Sequence, residues 1–199
     1  MKAAKTRQYI LEKAAPVFNR RGFAGTSLAD LEEATGLSKG ALYGNFEDKE
    51  TLAANVFTYA TELVSQRIAE RVAPIPTYKG KLRALLDFFA EYVLHPPIPG
   101  GCPLMNTAVE ADDDRLSMRP AVSREMVRVV NSIAALLKKG VRAGEFKKET
   151  RVRELAYTFF CAMEGAIMFS RVEGSREPMV IVVNHCKHKL EEITCNKNG

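Results

Sequence analysis

The residues best suited to chemistry lie close together around position 40, and their types favour contact with a nucleic acid. Lys39 carries a positive charge that suits a phosphate group, and the phenol of Tyr43 can donate to one. Asn45 can pair with adenine through both ends of its amide, and Ala41 can touch a thymine methyl group. Gly40 has no side chain, so the backbone at this position can approach DNA closely. This pattern predicts recognition of double-stranded DNA in the major groove.

A short helix is predicted just before this segment. Ser27 precedes its first turn and Asp30 follows three residues later, which is a variant of the capping box. Gly36 stands where a helix commonly ends. One apolar stripe of this helix is expected to face inward, and it consists of Leu28, Leu31 and Ala34.

A second short helix is predicted to carry the residues suited to DNA. Ser38 is placed to cap it, and it is expected to run from Lys39 to about Phe46. Leu42 and Phe46 are four residues apart and would anchor its inner face, so the opposite face can enter a groove. Lys49 is a further candidate phosphate contact. A helix, a glycine-containing turn and a second helix predict a helix-turn-helix module.

The module also contains several residue identities at fixed offsets along the first quarter of the chain. They are Gly22-Phe23, Gly25-Thr26-Ser27, the run from Gly36 to Tyr43, Phe46 and Lys49-Glu50. Together they resemble the N-terminal signature of the TetR/AcrR family of bacterial transcriptional regulators. This pattern is more specific than an isolated helix-turn-helix motif, whereas the rest of the chain resembles the family only in the layout of its helices.

The resemblance implies a role for each residue of the module. Phosphate contacts are expected from Thr26, Ser27, Lys39, Tyr43 and Lys49, and Ser38 belongs to the same DNA-binding set as the helix cap. Residues expected to face bases are Gly40, Ala41 and Asn45. Gly44 departs from many relatives, which carry a larger aromatic residue or histidine there. Glycine offers fewer contacts and costs about 1 kcal/mol of helix stability relative to alanine.

The whole chain is predicted to be all-α, with about nine helices. The helix before the module should cover residues 6–21, with a kink or a late start at Pro16. Helices after the module are predicted at about 48–71, 78–94, 103–111, 120–143, 150–170 and 178–194. Residues 1–47 would form the DNA-binding head, and residues 48–199 a helical body for ligand binding and dimerisation. By the resemblance, the helix that begins at 48 would transmit ligand-dependent movement to the head.

The last predicted helix suggests a second copy of the chain as a partner. Its residues 180–183 are apolar in succession, which implies a strand or a helix buried on more than one side. Pro178 and the continuation to Ile193 favour a helix. The family resemblance implies a homodimer through the last two helices and a palindromic operator. Complete burial within one subunit remains the alternative interpretation of this stripe.

The predicted body contains many large, adaptable apolar side chains that could line a pocket. The candidates are Phe57, Phe88, Phe89, Tyr92, Leu104, Met105, Met126, Phe159, Phe160 and Met163. Most such residues form plain core, and a minority would line a cavity for a small apolar effector, with Asn106 or Glu110 as polar anchors. A ligand-responsive repressor released from DNA by that effector is therefore the predicted function, although operator position could also make it an activator.

Composition and cysteine usage fit this interpretation. The chain has 199 residues, of which 46% are hydrophobic, and a formal net charge of +5 that is compatible with DNA. Its four cysteines form no CxxC pair, which favours free thiols in a reducing compartment. We see neither a signal peptide nor an apolar run long enough to span a membrane, so we expect a cytoplasmic protein.

Two further patterns offer candidate sites, and one alternative function is compatible with the same head. Cys102 precedes a predicted helix and could sense redox state, or it could simply fill space. His185 and His188 lie on one helical turn and could begin a metal site, although their spacing matches no standard structural zinc motif. No motif of an enzyme is present, and no cofactor is expected. The alternative function is a DNA-binding regulator without a small ligand, either constitutive, redox-sensing through Cys102, or controlled by a partner.

Overall fold

The computed structural model describes residues 2–113, 115 and 117–195, and these form nine α-helices. The helices are α1 (Lys2–Arg21), α2 (Leu28–Thr35), α3 (Lys39–Tyr43), α4 (Lys49–Val72), α5 (Tyr78–Tyr92), α6 (Pro103–Asp113), α7 (Arg119–Arg142), α8 (Val152–Glu173) and α9 (Glu177–Ile193). Over the same residues, β structure is limited to one isolated antiparallel bridge between Phe146 and Thr194. The all-α prediction is confirmed.

The structure corrects the predicted course of α1. This helix begins at Lys2 and not near Thr6, and it includes Pro16, so it does not start late at the proline. Proline inside a helix removes one backbone donor and usually costs about 3 kcal/mol. Ala14 and Ala15, just before the proline, are buried in the core, so tertiary packing of this face offsets the cost.

The second correction concerns α3, which ends at Tyr43 and not near Phe46. Gly44 follows the helix, and its low helix propensity favours an early end. The N–H of Asn45 donates to the carbonyl of Leu42 at 3.0 Å, a spacing of three residues that tightens the chain into a turn. Asn45 therefore lies beyond the helix on which it was placed.

The chain divides into two compact units, and unit 1 comprises Met1–Ser65 and Pro97–Ser123. Its core is formed by buried apolar side chains from α1, α2, α3, α4 and the segment before α6, namely Ile10, Ala14, Ala15, Leu31, Leu42, Phe46, Leu52, Val56, Ala60 and Ile98. The predicted boundary between residues 47 and 48 lies inside this unit, because the first half of α4 packs in the same core.

Unit 2 comprises Gln66–Pro96 and Arg124–Gly199, and within it α9 packs against α5 and α8. The buried residues of α9 are Met179, Val183, Cys186 and Leu190. Their spacing of three and four residues places them on one face, as in an ordinary amphipathic helix. The β-branched run at 180–183 is thus helical, as predicted. None of the described helices is long and apolar enough to cross a lipid bilayer.

Cys186 lies on the buried face of α9 and is 1% exposed, so its thiol reports on the burial of this face. Burial raises the pKa of its thiol from 9.0 to about 11, because a thiolate is poorly solvated there. The folded state therefore holds this proton more tightly than the unfolded state. We expect slow alkylation of Cys186 at neutral pH in the folded protein and fast alkylation after unfolding in guanidinium, both followed by mass spectrometry.

The same pKa shift predicts a change of stability with pH. The contribution of Cys186 is complete below pH 9.0 and is lost as the pH rises to about 11. Across this range the free energy of unfolding should fall by about 3 kcal/mol relative to Cys186→Ala, measured by urea denaturation. A constant difference between the two proteins would contradict this burial of the thiol.

Candidate nucleic-acid interface

Local hydrogen bonds hold α2 at both ends. The Ser27 N–H donates to the Asp30 carboxylate at 2.8 Å, and the Asp30 N–H donates to the Ser27 hydroxyl at 3.2 Å, so the predicted capping box is confirmed. The bond from the Ser27 N–H, with a smaller contribution from its hydroxyl, lowers the pKa of Asp30. At the other end Gly36 adopts φ +66° and donates to the Glu32 carbonyl at 2.8 Å.

The start of α3 is fixed by two acceptors. The Ser38 hydroxyl accepts from the Ala41 N–H at 3.4 Å, and a Glu32 carboxylate oxygen accepts from the Lys39 N–H at 2.6 Å. Leu42 is buried in the core of unit 1. The solvent-facing residues of this segment include Ser38, Lys39 and Gly40, whereas Ala41 and Tyr43 are half-buried. The structure thus places a basic, small-residue face of α3 at the surface of unit 1.

An arginine of α1 fixes the turn that follows α3. Arg7 donates to the Asn45 carbonyl at 2.6 Å and to the Asn55 side-chain oxygen at 2.9 Å, and its guanidinium lies 4.2 Å from the centre of the Phe46 ring. The Asn45 amide donates to the Ala41 carbonyl at 2.8 Å. This role of Arg7 could not be predicted from local patterns, because its partners lie 38 and 48 residues away. Base contact by Asn45 stays a prediction and requires its amide to reorient.

Two residues predicted to contact phosphate, Thr26 and Lys49, form hydrogen bonds within the protein. Thr26 is 1% exposed and its hydroxyl donates to the Gly22 carbonyl at 2.6 Å, so a phosphate contact by this side chain was a wrong expectation. The Lys49 ammonium donates to the Phe23 carbonyl at 2.6 Å and lies 4.1 Å from the centre of the Phe23 ring. The role of Lys49 at phosphate stays a prediction, with the structure adding a role in holding the turn between α1 and α2.

The same turn is held by the region of α6. The Glu110 carboxylate accepts from the backbone N–H groups of Phe23 at 2.9 Å and Ala24 at 3.3 Å. The Arg115 guanidinium lies 3.8 Å from the centre of the Phe23 ring and donates to Glu50 at 2.6 Å. These bonds join residues far apart in the chain, so local patterns could not predict them. Together they fix the entry to α2.

A buried asparagine connects α1 with the loop before α6. The Asn19 amide donates to the carbonyls of Gly101 at 2.9 Å and Pro99 at 3.2 Å. Asn106 in turn donates to the Asn19 side-chain oxygen at 2.9 Å. Asn106 and Glu110 are the predicted polar anchors of a pocket. In the structure they form hydrogen bonds that connect separate segments of unit 1.

The candidate pocket residues are divided between the two units. Phe57, Leu104 and Met105 belong to unit 1, and the other seven belong to unit 2. All are buried except Met105 and Met126, which are half-buried. Within α5 the rings of Phe88, Phe89 and Tyr92 form a cluster with centroid separations of 5.6 to 5.9 Å. A role of these side chains in ligand binding stays a prediction.

The other two candidate sites are Cys102 and the pair of His185 and His188. Cys102 is buried, and its carbonyl accepts from the Asn106 N–H at 3.0 Å at the start of α6. The ring of His188 lies 3.2 Å from the Glu192 carboxylate, one turn further along α9. Among residues 2–113, 115 and 117–195, no group of three or more His, Cys, Asp or Glu side chains is arranged to hold a metal ion.

Two capped helices on an α-helical frame, with a basic face of the second helix exposed, define a helix-turn-helix transcriptional regulator. Residues 10–56 match the model of the bacterial regulatory proteins of the tetR family. Residues 79–186 match the tetracyclin repressor-like C-terminal domain. The chain belongs to the TetR family of DNA-binding transcriptional regulators.

Two solved structures share this fold along nearly their whole length. A TetR-family regulator from Cytophaga hutchinsonii is 36% identical and has a TM-score of 0.91, over 99% of this chain and 98% of that chain. A TetR regulator from Chloroflexus aurantiacus is 35% identical with a TM-score of 0.92, over 97% and 98% of the two chains. The transcriptional repressor DhaR of Mycobacterium sp. (strain GP1) is 26% identical over 184 residues, which cover 90% of this chain and 89% of DhaR.

Proposed function

We propose that this regulator is a homodimeric repressor that binds a palindromic DNA operator and is released by a small apolar effector. The observation that carries the proposal is the exposed face of α3, where Lys39 and Gly40 lie at the surface while Leu42 anchors the helix in the core. Hydrogen bonds at both ends of α2 and at the start of α3 hold this face in place. Because the face is ordered before DNA binds, less conformational entropy is lost on binding.

The proposed roles at DNA are those that the family resemblance implies, without Thr26. Ser27, Ser38, Lys39, Tyr43 and Lys49 contact phosphates, and Gly40, Ala41 and Asn45 face base edges. Phosphate contacts position the protein without reading sequence, whereas base-edge contacts select it. Because α3 is short and carries few long side chains, sequence preference also draws on the spacing of two half-sites and on DNA shape.

The exposed apolar side chains of α8 and α9 support the dimer. They are Tyr157, Met168, Phe169, Val172, Val180 and Ile181. Phe169 and Ile181 are each 59% exposed, which is unusual for large apolar residues on two helices that pack together. A second copy of the chain would cover this surface about a two-fold axis, and two heads related by that axis match a palindromic operator.

Release by an effector requires that the effector binds a conformation unsuited to DNA more tightly than the DNA-bound one. Large apolar side chains in both units, including the half-buried Met105 and Met126, favour a small apolar molecule, because methionine adapts to ligands of different shape. The protein itself needs to perform no covalent chemistry for this cycle.

Lys39→Ala should weaken binding to all DNA sequences, because the substitution removes one exposed phosphate contact. The slope of log affinity against log salt should become smaller by about one unit, with sequence preference unchanged. Fluorescence anisotropy with labelled DNA at several salt concentrations measures both effects. Lys138→Ala on the exposed side of α7 is the matched control and should leave the slope unaltered. An equal loss in both variants would contradict the role of Lys39.

The operator can be recovered by selection of bound DNA from a random pool. We expect an enriched palindrome, and the same duplex then serves to screen small apolar molecules for release of the protein. Enrichment of no sequence would refute operator recognition, and failure of every tested molecule to release the duplex would refute control by an apolar effector.

A further inference from the structure

The ring of Phe23, in the turn between α1 and α2, contacts two cationic side chains. The Lys49 ammonium lies over the ring at 4.1 Å from its centre, and the Arg115 guanidinium lies 3.8 Å from the same centre. A cation at such a distance is attracted by the negative face of an aromatic ring. The Phe23 carbonyl also accepts a hydrogen bond from Lys49 Nζ at 2.6 Å. Phe23 therefore holds the end of the Lys49 side chain through both its main chain and its ring.

The two cations differ in how their charge is compensated. Arg115 donates to the Glu50 carboxylate at 2.6 Å, and its side chain is only 9% exposed, so an acid matches its charge inside unit 1. Lys49 is half-buried, and both groups that hold it at Phe23, a carbonyl and a ring, are neutral. Neutral partners leave the positive charge of Lys49 available to a phosphate.

The Lys49 ammonium also keeps hydrogen-bond donors for a further partner. An ammonium group has three N–H donors, and the Phe23 carbonyl accepts from one of them. The contact with the ring depends on the charge of the ammonium and needs no acceptor atom. Lys49 can therefore donate to a DNA phosphate while it stays on Phe23.

We propose that Phe23 is a positioning residue for DNA binding, which holds the Lys49 ammonium ready to contact a phosphate. The inference rests on the proposed function, because Lys49 is assigned to a phosphate there. A free lysine side chain loses conformational freedom when it binds, and this loss weakens affinity. The bond and the ring contact at Phe23 restrict Lys49 before DNA arrives, so less freedom is lost on binding. Arg115 restrains the same ring from a second cation contact.

The test compares Phe23→Leu with the parent protein, both as the full chain, by fluorescence anisotropy with one labelled duplex of arbitrary sequence. Leucine keeps an apolar side chain but has no ring to attract the ammonium. We expect the affinity to fall by about two- to tenfold, the range that the ordering of one long side chain accounts for. The slope of log affinity against log salt should stay as in the parent, because the phosphate contact still forms in the complex.

A double-mutant cycle with Lys49→Ala separates positioning from a general effect on the fold. Lys49→Ala alone should weaken binding and make the salt slope smaller by about one unit. In the Lys49→Ala background, Phe23→Leu should cause no further loss of affinity. A loosened turn would weaken binding equally in both backgrounds, and that result would overturn the inference. Tighter binding by Phe23→Leu would also overturn it, since the ring would then compete with phosphate for the ammonium.

Two further variants serve as controls. Phe18→Leu is the matched control, because the Phe18 ring stacks near Phe23 at a centroid separation of 6.4 Å, whereas the ammonium lies over Phe23. Any loss of affinity in Phe18→Leu should be the same in the parent and in the Lys49→Ala background. Phe23→Tyr keeps an aromatic ring and should regain the affinity that Phe23→Leu loses.

A measurement on the parent protein tests the inference even if Phe23→Leu does not fold. The ring current of Phe23 should shift the ε-proton signals of Lys49 upfield in NMR spectra, and these signals are assigned by their loss in Lys49→Ala. We expect the shift to persist when the duplex is added, because the ammonium stays on the ring. Its disappearance in the complex would overturn the inference.

The inference and the proposed function can fail separately. If Lys49→Ala leaves affinity and salt slope as in the parent, Lys49 contacts no phosphate and the inference is overturned, while a palindromic operator recovered by selection would keep the repressor proposal. If Phe23 and Lys49 are coupled in the cycle but selection enriches no sequence, the inference stands and the repressor proposal fails.

Discussion

Phe169→Asp is expected to convert the proposed dimer into monomers and to weaken operator binding by a factor of about 100 or more. Phe169 is 59% exposed on α8 in the single chain, and Val172 on the same helix is 87% exposed. In a two-fold dimer the substitution acts twice, because each copy loses the burial of a phenyl ring and would have to desolvate a carboxylate. Each of these changes costs about 2 kcal/mol or more.

Sedimentation velocity measures the oligomeric state, and anisotropy with the selected operator measures affinity. The matched control is Val127→Asp on α7, since Val127 is also apolar and 47% exposed but lies on neither α8 nor α9. We expect this control to remain dimeric and to bind DNA normally. A dimeric Phe169→Asp protein would place the interface elsewhere, and a monomeric parent with full operator affinity would remove the case for a dimer.

Gly22→Ala is expected to destabilise the protein by about 2–4 kcal/mol. Gly22 adopts φ +69°, which disfavours any side chain, and a methyl group there would lie 2.4 Å from a carboxylate oxygen of Glu110. The carboxylate can move away only by weakening its bonds to the N–H groups of Phe23 and Ala24. The turn before α2 would loosen as a result, so DNA affinity should fall together with stability.

Gly36→Ala separates the two causes of this loss. Gly36 has nearly the same φ, +66°, but no atom lies within 4 Å of its added methyl group. Only the backbone strain remains, and we expect a loss of about 1 kcal/mol in urea denaturation. The excess loss in Gly22→Ala should shrink when Glu110→Ala is added, because the displaced carboxylate is then gone. Equal losses for the two glycine variants would show that Glu110 does not constrain the turn.

Local patterns in the sequence predicted the helices and their caps because those features depend on neighbouring residues. Ser27 and Asp30 lie within one turn of α2, and the buried positions of α9 recur every three or four residues. The end of α3 was missed because a five-residue helix gives too short a pattern to show its length. The bond from Arg7 to the Asn45 carbonyl, just beyond this helix, joins residues too far apart in the chain for a local pattern to predict it.

The candidate site was predictable only in part, for a related reason. Exposed residues such as Lys39 follow from the inner position of Leu42, whereas the burial of Thr26 depends on how the turn after α1 folds back on Gly22. Large apolar residues look alike in sequence whether they fill a core or line a space. The contacts of Arg115 with Phe23 and Glu50 join segments that are far apart in the chain, so local patterns could not predict them.

Because α1 is one continuous helix, it fixes the rotation about its axis between two side chains that make contacts in unit 1. Arg7 donates a hydrogen bond to the turn after α3, and Asn19 donates one to the loop before α6. The two residues are separated along one helix by about 18 Å. Because each residue turns the helix by about 100°, one alanine inserted between them would rotate one contact away while leaving the other in register. The length of α1 between these two side chains is therefore as constrained as their identity.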